Sequence, residues 1–415
     1  MKRSGFKTAA AAAAIILFSV NAYAAVSILS AAKEAEKYAE SSIEYQISKL
    51  SSESAVLGAY SDSSAVKTLE GNIQSYENTL SSLKDSLIGT DGDEYEETAD
   101  RIYQTQLALF NAKRQLAVYK NKVRENELYE EYSEKELSVK KLETAGGIYS
   151  QLLDIEQSKA YMTFYSKLTA ELETSLRIEN SKVELGYSMQ SEADKIAAQL
   201  SSSKAEYEYY RRSADETQSY LTEICGADNS ENYDFSFEPQ SEETYRSKFA
   251  ETDYLSEYKQ KQAESIEKYI AELKALSDEI ELYVRSDSGC RIKEALNDLS
   301  DEISYDIRIA ENNAEQAGLD LKLYGIRREH YIQQLIDKAE IGRMRLKAKD
   351  DEIIAAEEEL RVNQILLESG RIKEVDLMHT ETELSKLKAE RKSEEANMNK
   401  IYFYLENGLF LVNNY

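Results

Sequence analysis

Proline occurs once in this chain, as Pro239, tryptophan not at all, and glycine only 15 times in 415 residues. Proline and glycine punctuate turns and loops. Their scarcity leaves few places for the chain to reverse, and with 31% charged residues it points to long helices and an elongated molecule. Cysteine is nearly missing too. Cys225 and Cys290 suffice for one disulfide in an oxidising compartment or for two separate thiols, and their positions do not choose between the two. After the first 24 residues, no stretch approaches the roughly 20 apolar residues that span a bilayer. Basic residues are outnumbered: 77 Asp and Glu face 51 Lys and Arg, a formal charge of −26. Such a field repels phosphate backbones and excludes nucleic acid as a partner.

The opening MKRSGFKTAAAAAAIILFSVNAYA combines a basic start, an apolar stretch and the small-x-small triplet Ala22, Tyr23, Ala24. It reads as a cleavable secretory signal over residues 1–24. Cleavage removes Lys2, Arg3 and Lys7, leaving 48 bases against 77 acids, or −29. The expected location lies across the cytoplasmic membrane: the outer membrane or periplasm of a diderm host, otherwise the exterior of the envelope.

The second half of the chain repeats the first, in the placing of its apolar residues more than in their identity. Met189, Ala193, Ile196, Leu200, Ser203, Tyr207, Tyr210, Ala214, Thr217 and Leu221 alternate steps of four and three, the a/d spacing of a coiled-coil seam. At an offset of 184 the seam returns as Lys373, Leu377, Thr380, Leu384, Leu387, Arg391, Glu394, Met398, Ile401 and Leu405. Each copy follows a glycine, Gly186 or Gly370, able to end one helix and turn the chain into the next. The unit is a long helical hairpin used twice.

This gives an organisation of residues 25–226 as the first hairpin repeat, 227–243 as a linker around Pro239, and 244–415 as the second repeat. Helices are expected at about Val26–Ser54, Ser64–Ile88, Thr98–Leu185 with a kink at Gly146 and Gly147, and from the Gly186 turn to about Ile224. In the second half they fall at about Glu242–Tyr283, Ile292–Ser369 and Lys373–Asn407. Within the last long arm Leu346, Ile353, Leu360 and Leu367 stand seven apart, a further coiled-coil stripe. The fold class is all-α, with little or no β.

Two short segments carry a family resemblance. ELGYSMQSEAD places Glu192 six residues after Gly186, and ESGRIKEVDLM places Asp376 six after Gly370. With the doubled hairpin, these turns resemble those of the TolC family of outer-membrane efflux proteins over about Val26–Leu409. The resemblance implies a conduit, or conduit-like adaptor, in an export system, assembled as a homo-oligomer and a trimer if it forms a duct. It implies that Gly186, Glu192, Gly370 and Asp376 mark tips that dock on a membrane transporter or adaptor protein. Two departures stand beside it. The family commonly caps the return helices with Ser or Thr three residues after the glycine, where this chain has Met189 and Lys373; Ser188 is placed to cap the first one residue early. Members also carry a β-hairpin in each repeat, whereas residues 54–99 here read as helix and an acidic turn, and Ser286–Gly289 as a tight loop.

Each of these features also has a plainer reading. The tips are docking sites or ordinary hairpin turns. GTDGDEYEE offers Asp91, Asp93, Glu94 and Glu96 to calcium but lacks the glycine at the sixth loop position of an EF-hand, so it reads as a solvated loop. His330 and His379 have no second ligand at metal spacing, although Asp376 and His379 are one helical turn apart. No nucleophile motif or phosphate loop is present, so neither enzyme nor cofactor is expected. Thirty tyrosines serve as bulky core residues or line a wet passage. The alternative function, from another class, is an extracytoplasmic coiled-coil scaffold that binds envelope proteins and transports nothing.

Overall fold

The computed structural model describes residues 29–227, 233–286 and 291–410. The leader, and Cys290 with the question of its pairing, lie outside the described residues. Helix follows helix: α1 (Ala31–Ser41), α2 (Ile43–Leu87), α3 (Gly92–Glu184) and α4 (Gln190–Cys225), then α5 (Glu242–Thr252), α6 (Tyr254–Ser286), α7 (Lys293–Glu368) and α8 (Glu374–Glu406). Among the described residues the only strand pairing is parallel and two residues long, β1 (Leu29–Ser30) against β2 (Tyr233–Asp234). The chain is all-α, as its shortage of turn residues predicts.

Helices of the two halves can be compared in order. α1 and α5 have 11 residues each, and α4 and α8 have 36 and 33. The larger differences lie in the long arms, 45 against 33 residues for α2 and α6 and 93 against 76 for α3 and α7. Both first arms break after their eleventh residue. The Ser42 hydroxyl accepts from the Tyr45 amide at 3.2 Å, and the Asp253 carboxylate accepts from the Ser256 amide at 3.2 Å. Each satisfies a donor that a helix start leaves open. Two boundaries are thereby corrected. The expected helix 242–283 is two helices, and the expected gap between Ser54 and Ser64 is helical, the break lying at Ser42 instead. A polar cap decides the boundary where the apolar period runs straight through.

Compact packing does not follow the repeats. One unit gathers the chain up to Gln46, Lys141–Tyr245 and Gln334–Leu409; the other gathers Ile47–Lys140, Arg246–Gln333 and the stretch from Phe410 on. In the second unit, the start of α3 is sandwiched. Ile102 and Leu109 pack with Leu80 and Leu83 of α2. Phe110 and Ala117 pack with Leu273, Leu276 and Ile280 of α6 and Leu296, Leu299 and Ile303 of α7. Arg124 grips Glu272 through two nitrogens at 2.8 and 3.2 Å, and Arg114 reaches Asp306 and Glu302. These forks fix the register of α3 on α6 and α7.

In the first unit an aromatic cluster closes the linker onto the helices. The Tyr149 ring stacks on Phe403 at 4.9 Å and meets Phe235 and Phe237 at 5.7 Å. Its buried hydroxyl donates to the Phe235 carbonyl at 3.1 Å. Gly146 bears on this cluster: a Cβ there would lie 3.2 Å from Cε1 of Phe403, whereas one on Gly147 would meet nothing within 4 Å. α3 runs unbroken through both glycines, so Gly146 serves a close approach of a ring. The seam positions of α4 and α8 turn inward as their spacing predicts, with Ala193, Ser203, Leu221, Thr380, Leu384 and Leu405 buried. Leu346 and Ile353 of the α7 stripe are buried as well. The Cys225 thiol is buried beneath α1, bonds to the Leu221 carbonyl at 3.0 Å, and is pushed up in pKa by its burial.

Candidate functional site: the two hairpin turns

Gly186 and Gly370 both take a left-handed backbone, φ +75° and +69°, which a side chain would strain. In the first turn Gly186 N–H donates to the Val183 carbonyl at 3.0 Å, and Tyr187 N–H reaches back to Lys182 at 2.8 Å. In the second, Gly370 donates to Leu367 at 2.9 Å and Arg371 to Leu366 at 2.8 Å. These are two copies of one Schellman ending, which ties off carbonyls that the helix leaves open. Each return helix then starts from an extended residue, Met189 or Lys373.

The first turns of the return helices are finished differently. Asp376 Oδ2 accepts from the Lys373 amide at 2.9 Å, so the acid at the third helical position closes the start that lacks a Ser or Thr cap. Glu192, in the matching place, instead pairs with Lys195 at 2.8 Å. Ser188 does not provide the early cap expected of it: its hydroxyl donates to the Glu179 carboxylate, which also holds Lys182 at 2.7 Å. Lys182, and after it Ser188, keep the Glu179 pKa below the ordinary carboxylate value.

On a shared backbone the side chains diverge. Leu185, Tyr187 and Met189 are 70, 81 and 76% exposed, an apolar crest on the first turn. The residues 184 positions later are Ser369, Arg371 and Lys373, all exposed, so the second turn is polar and basic. Exposed large apolar groups also occur elsewhere on the described chain, Ile88 at 84% among them.

His379 does not join Asp376. Its Nδ1 lies 3.0 Å from Oε1 of Glu171 on α3, and Glu171 Oε2 is buried with no hydrogen-bond partner among the described residues. This contact between α3 and α8 joins residues 208 apart in sequence, and no local pattern announces it. Tyr161, Tyr165 and Tyr210 form a stacked ladder between α3 and α4, with ring centres 4.9 and 5.7 Å apart; burial, first of all, pushes the Tyr210 phenol up to about 12. They pack as half-buried rings. Asp91, Asp93, Glu94 and Glu96 are exposed, and Asp93 and Glu94 lie in the first turn of α3, where the helix dipole favours acids. His330 is exposed on α7. Among the described residues no group of three or more His, Cys, Asp or Glu is placed to hold a metal, and no helix is long and apolar enough to cross a membrane.

No protein-family model matches the chain, and no curated protein does. Among solved structures it is similar to a membrane protein from Pseudomonas aeruginosa, with 11% identity over 73% of this chain and 74% of that one and a TM-score of 0.48. It is similar to the CmeC outer membrane channel of Campylobacter jejuni, with 10% identity over 72% and 69% and a TM-score of 0.47. It is also similar to CusC, whose structures concern transmembrane channel formation, with 10% identity over 86% and 96% and a TM-score of 0.42.

Proposed function

We propose that the chain is a passive helical component of an export system of the cell envelope, a conduit or conduit-like adaptor that works through its two hairpin turns. The observation that carries this reading is the pair of identical Schellman turns at Gly186 and Gly370 bearing opposite chemistries. The apolar crest of Leu185, Tyr187 and Met189 suits insertion between partner side chains. Arg371 and Lys373 suit acidic groups on the same partner, a membrane transporter or its adaptor. Asp376 acts by holding the second turn in shape, whereas Glu192 makes an exposed pair with Lys195 inside the return helix.

Self-association is the second part of the reading. Tyr305, Ile309, Leu319, Leu323 and Ile326 of α7 are exposed, and their spacing keeps all five on the a and d positions of one heptad frame. Ile47, Leu50 and Leu57 form a shorter exposed stripe on α2. A neighbouring copy would cover such seams, as a cylinder of hairpins requires. The rival reading, a coiled-coil scaffold without transport, is favoured by one observation: residues 54–87 are helix where a family member would carry a barrel hairpin.

Two experiments separate these readings. Light scattering of the mature chain, with and without detergent, should give an oligomer, and Leu319→Glu with Leu323→Glu should reduce it to a monomer. In the native host, deletion should cause an exported dye to be retained, and Tyr187→Ser with Met189→Ser should fail to restore export while keeping the oligomer. Normal dye export in the deletion strain would leave the scaffold.

A further inference from the structure

In a chain with 26 more acids than bases, one groove has the opposite sign. It lies between α3 and α8, holds about 420 Å³, and is walled by Glu156, Lys159, Lys167, Lys388 and Lys392 over a floor that includes Ala160, Leu384, Ser385 and Ala389. Four lysines and one glutamate line it. Leu384, Ser385 and Ala389 are 7, 7 and 1% exposed, so the floor is well packed, with small and mostly apolar side chains. Ser385 is its one buried hydroxyl-bearing residue.

Three of the lysines have acidic neighbours, Lys159 with Glu156, Lys388 with Glu357 and Lys392 with a 3.1 Å contact to Glu395. These lysines are 36 to 53% exposed, and exposed pairs contribute little to stability, so an incoming anion can exchange for them at small cost. Lys167 has no ion pair with a described residue. The volume falls in the range of small-molecule sites, which combine an apolar lining with a few placed polar groups.

We infer that this groove binds an amphiphilic anion, its apolar body on Ala160, Leu384 and Ala389 and its carboxylate, phosphate or sulfate head held by Lys159, Lys167, Lys388 and Lys392 with the Ser385 hydroxyl. The inference stands on the groove and is independent of the role of the hairpin turns. The protein's overall field repels anions, so anion binding at any strength requires a local site of this kind.

Monomeric laurate, titrated calorimetrically into the mature chain, tests the site, with 1-decanol as the neutral analogue and sedimentation with phosphatidylglycerol vesicles to detect a lipid source. One laurate per chain should bind, at least 10-fold more weakly in 0.5 M salt and in the Lys159→Gln, Lys167→Gln, Lys388→Gln, Lys392→Gln variant. Ser385→Ala should weaken it several-fold, and decanol should not compete. These side chains are surface groups or small, and circular dichroism of each variant checks that the helices persist. Saturable, lysine-dependent binding of either laurate or vesicles supports the inference and identifies the free or the lipid-borne form. Binding of neither, equal binding of decanol, or undiminished binding by the four-lysine variant overturns it.

Discussion

Asp376 and Lys373 hold each other across the first turn of α8 through two bonds, the Lys373 amide to Asp376 Oδ2 at 2.9 Å and the Asp376 amide to the Lys373 carbonyl at 3.0 Å. At the matching place in α4, Glu192 spends its carboxylate on the Lys195 side chain. The same acid position therefore does two jobs. Asp376→Ala should loosen the second turn by about 1 kcal/mol, the usual worth of a lost cap. Glu192→Ala should cost about 0.5 kcal/mol or less, as an exposed pair does. Hydrogen exchange of the amides at 373–379 and 189–195 measures both, and equal acceleration would contradict the assignment.

The adjacent glycines of α3 provide a matched pair. Gly147→Ala meets open space and should stabilise the helix by about 0.5–1 kcal/mol. Gly146→Ala must push Phe403 aside and should lose that gain or reverse it. Thermal unfolding of the two variants gives the sign directly.

Asp253 is the busier of the two arm breaks. Besides capping Ser256 it accepts the Tyr324 hydroxyl at 2.9 Å and lies 3.4 Å from Arg328. Asp253→Ala should cost about 2–3 kcal/mol, because it strips a part-buried donor and a cation of their acceptor. Ser42→Ala removes one cap and should cost about 1 kcal/mol. Denaturant midpoints should rank the two in this order.

Acid should loosen the first hairpin turn. The Glu179 pKa is lowered from 4.5 by Lys182 and then Ser188. A depressed carboxylate contributes stability that is present above 4.5 and is lost as pH falls through the lower folded value. Hydrogen exchange at residues 186–190, corrected for intrinsic rates, should accelerate as pH falls below about 4.5. Glu179→Gln should show faster exchange above that pH and little further change below it.

The hairpins were legible in the sequence because their signals are local. A glycine at Gly186 or Gly370, an acid six residues on, and a four-three seam are all short-range patterns, and burial of Ala193, Leu221, Leu384 and Leu405 follows from them. The helix breaks were missed because apolar periodicity continues across Ser42 and Asp253, although a capping residue three ahead of Tyr45 or Ser256 was there to be read. Gly146 suggested a kink because a glycine in a helix is usually a weakness; only the distant Phe403 ring gives it another purpose. The His379–Glu171 contact and the lysine groove are built from α3 and α8, elements that nothing in the linear pattern pairs. The contrast between the turns was visible by aligning Leu185, Tyr187 and Met189 with Ser369, Arg371 and Lys373, but not that all six side chains stand open.

The contacts that tie α3 to α8 have a cost in time. Gln157 bonds Ser393 at 2.7 Å and Lys400 bonds Asp154 at 2.7 Å, across 236 and 246 residues of chain. Closing loops of that length precedes any reward from the contacts they permit. As the chain emerges in order, the face of α3 that meets Phe403 and Lys400 waits for the last segment to be made. Until α8 arrives that face is bare, so the nascent first repeat is the stage most exposed to aggregation, and a stop codon shortly before Glu374 would release a chain held permanently at that stage.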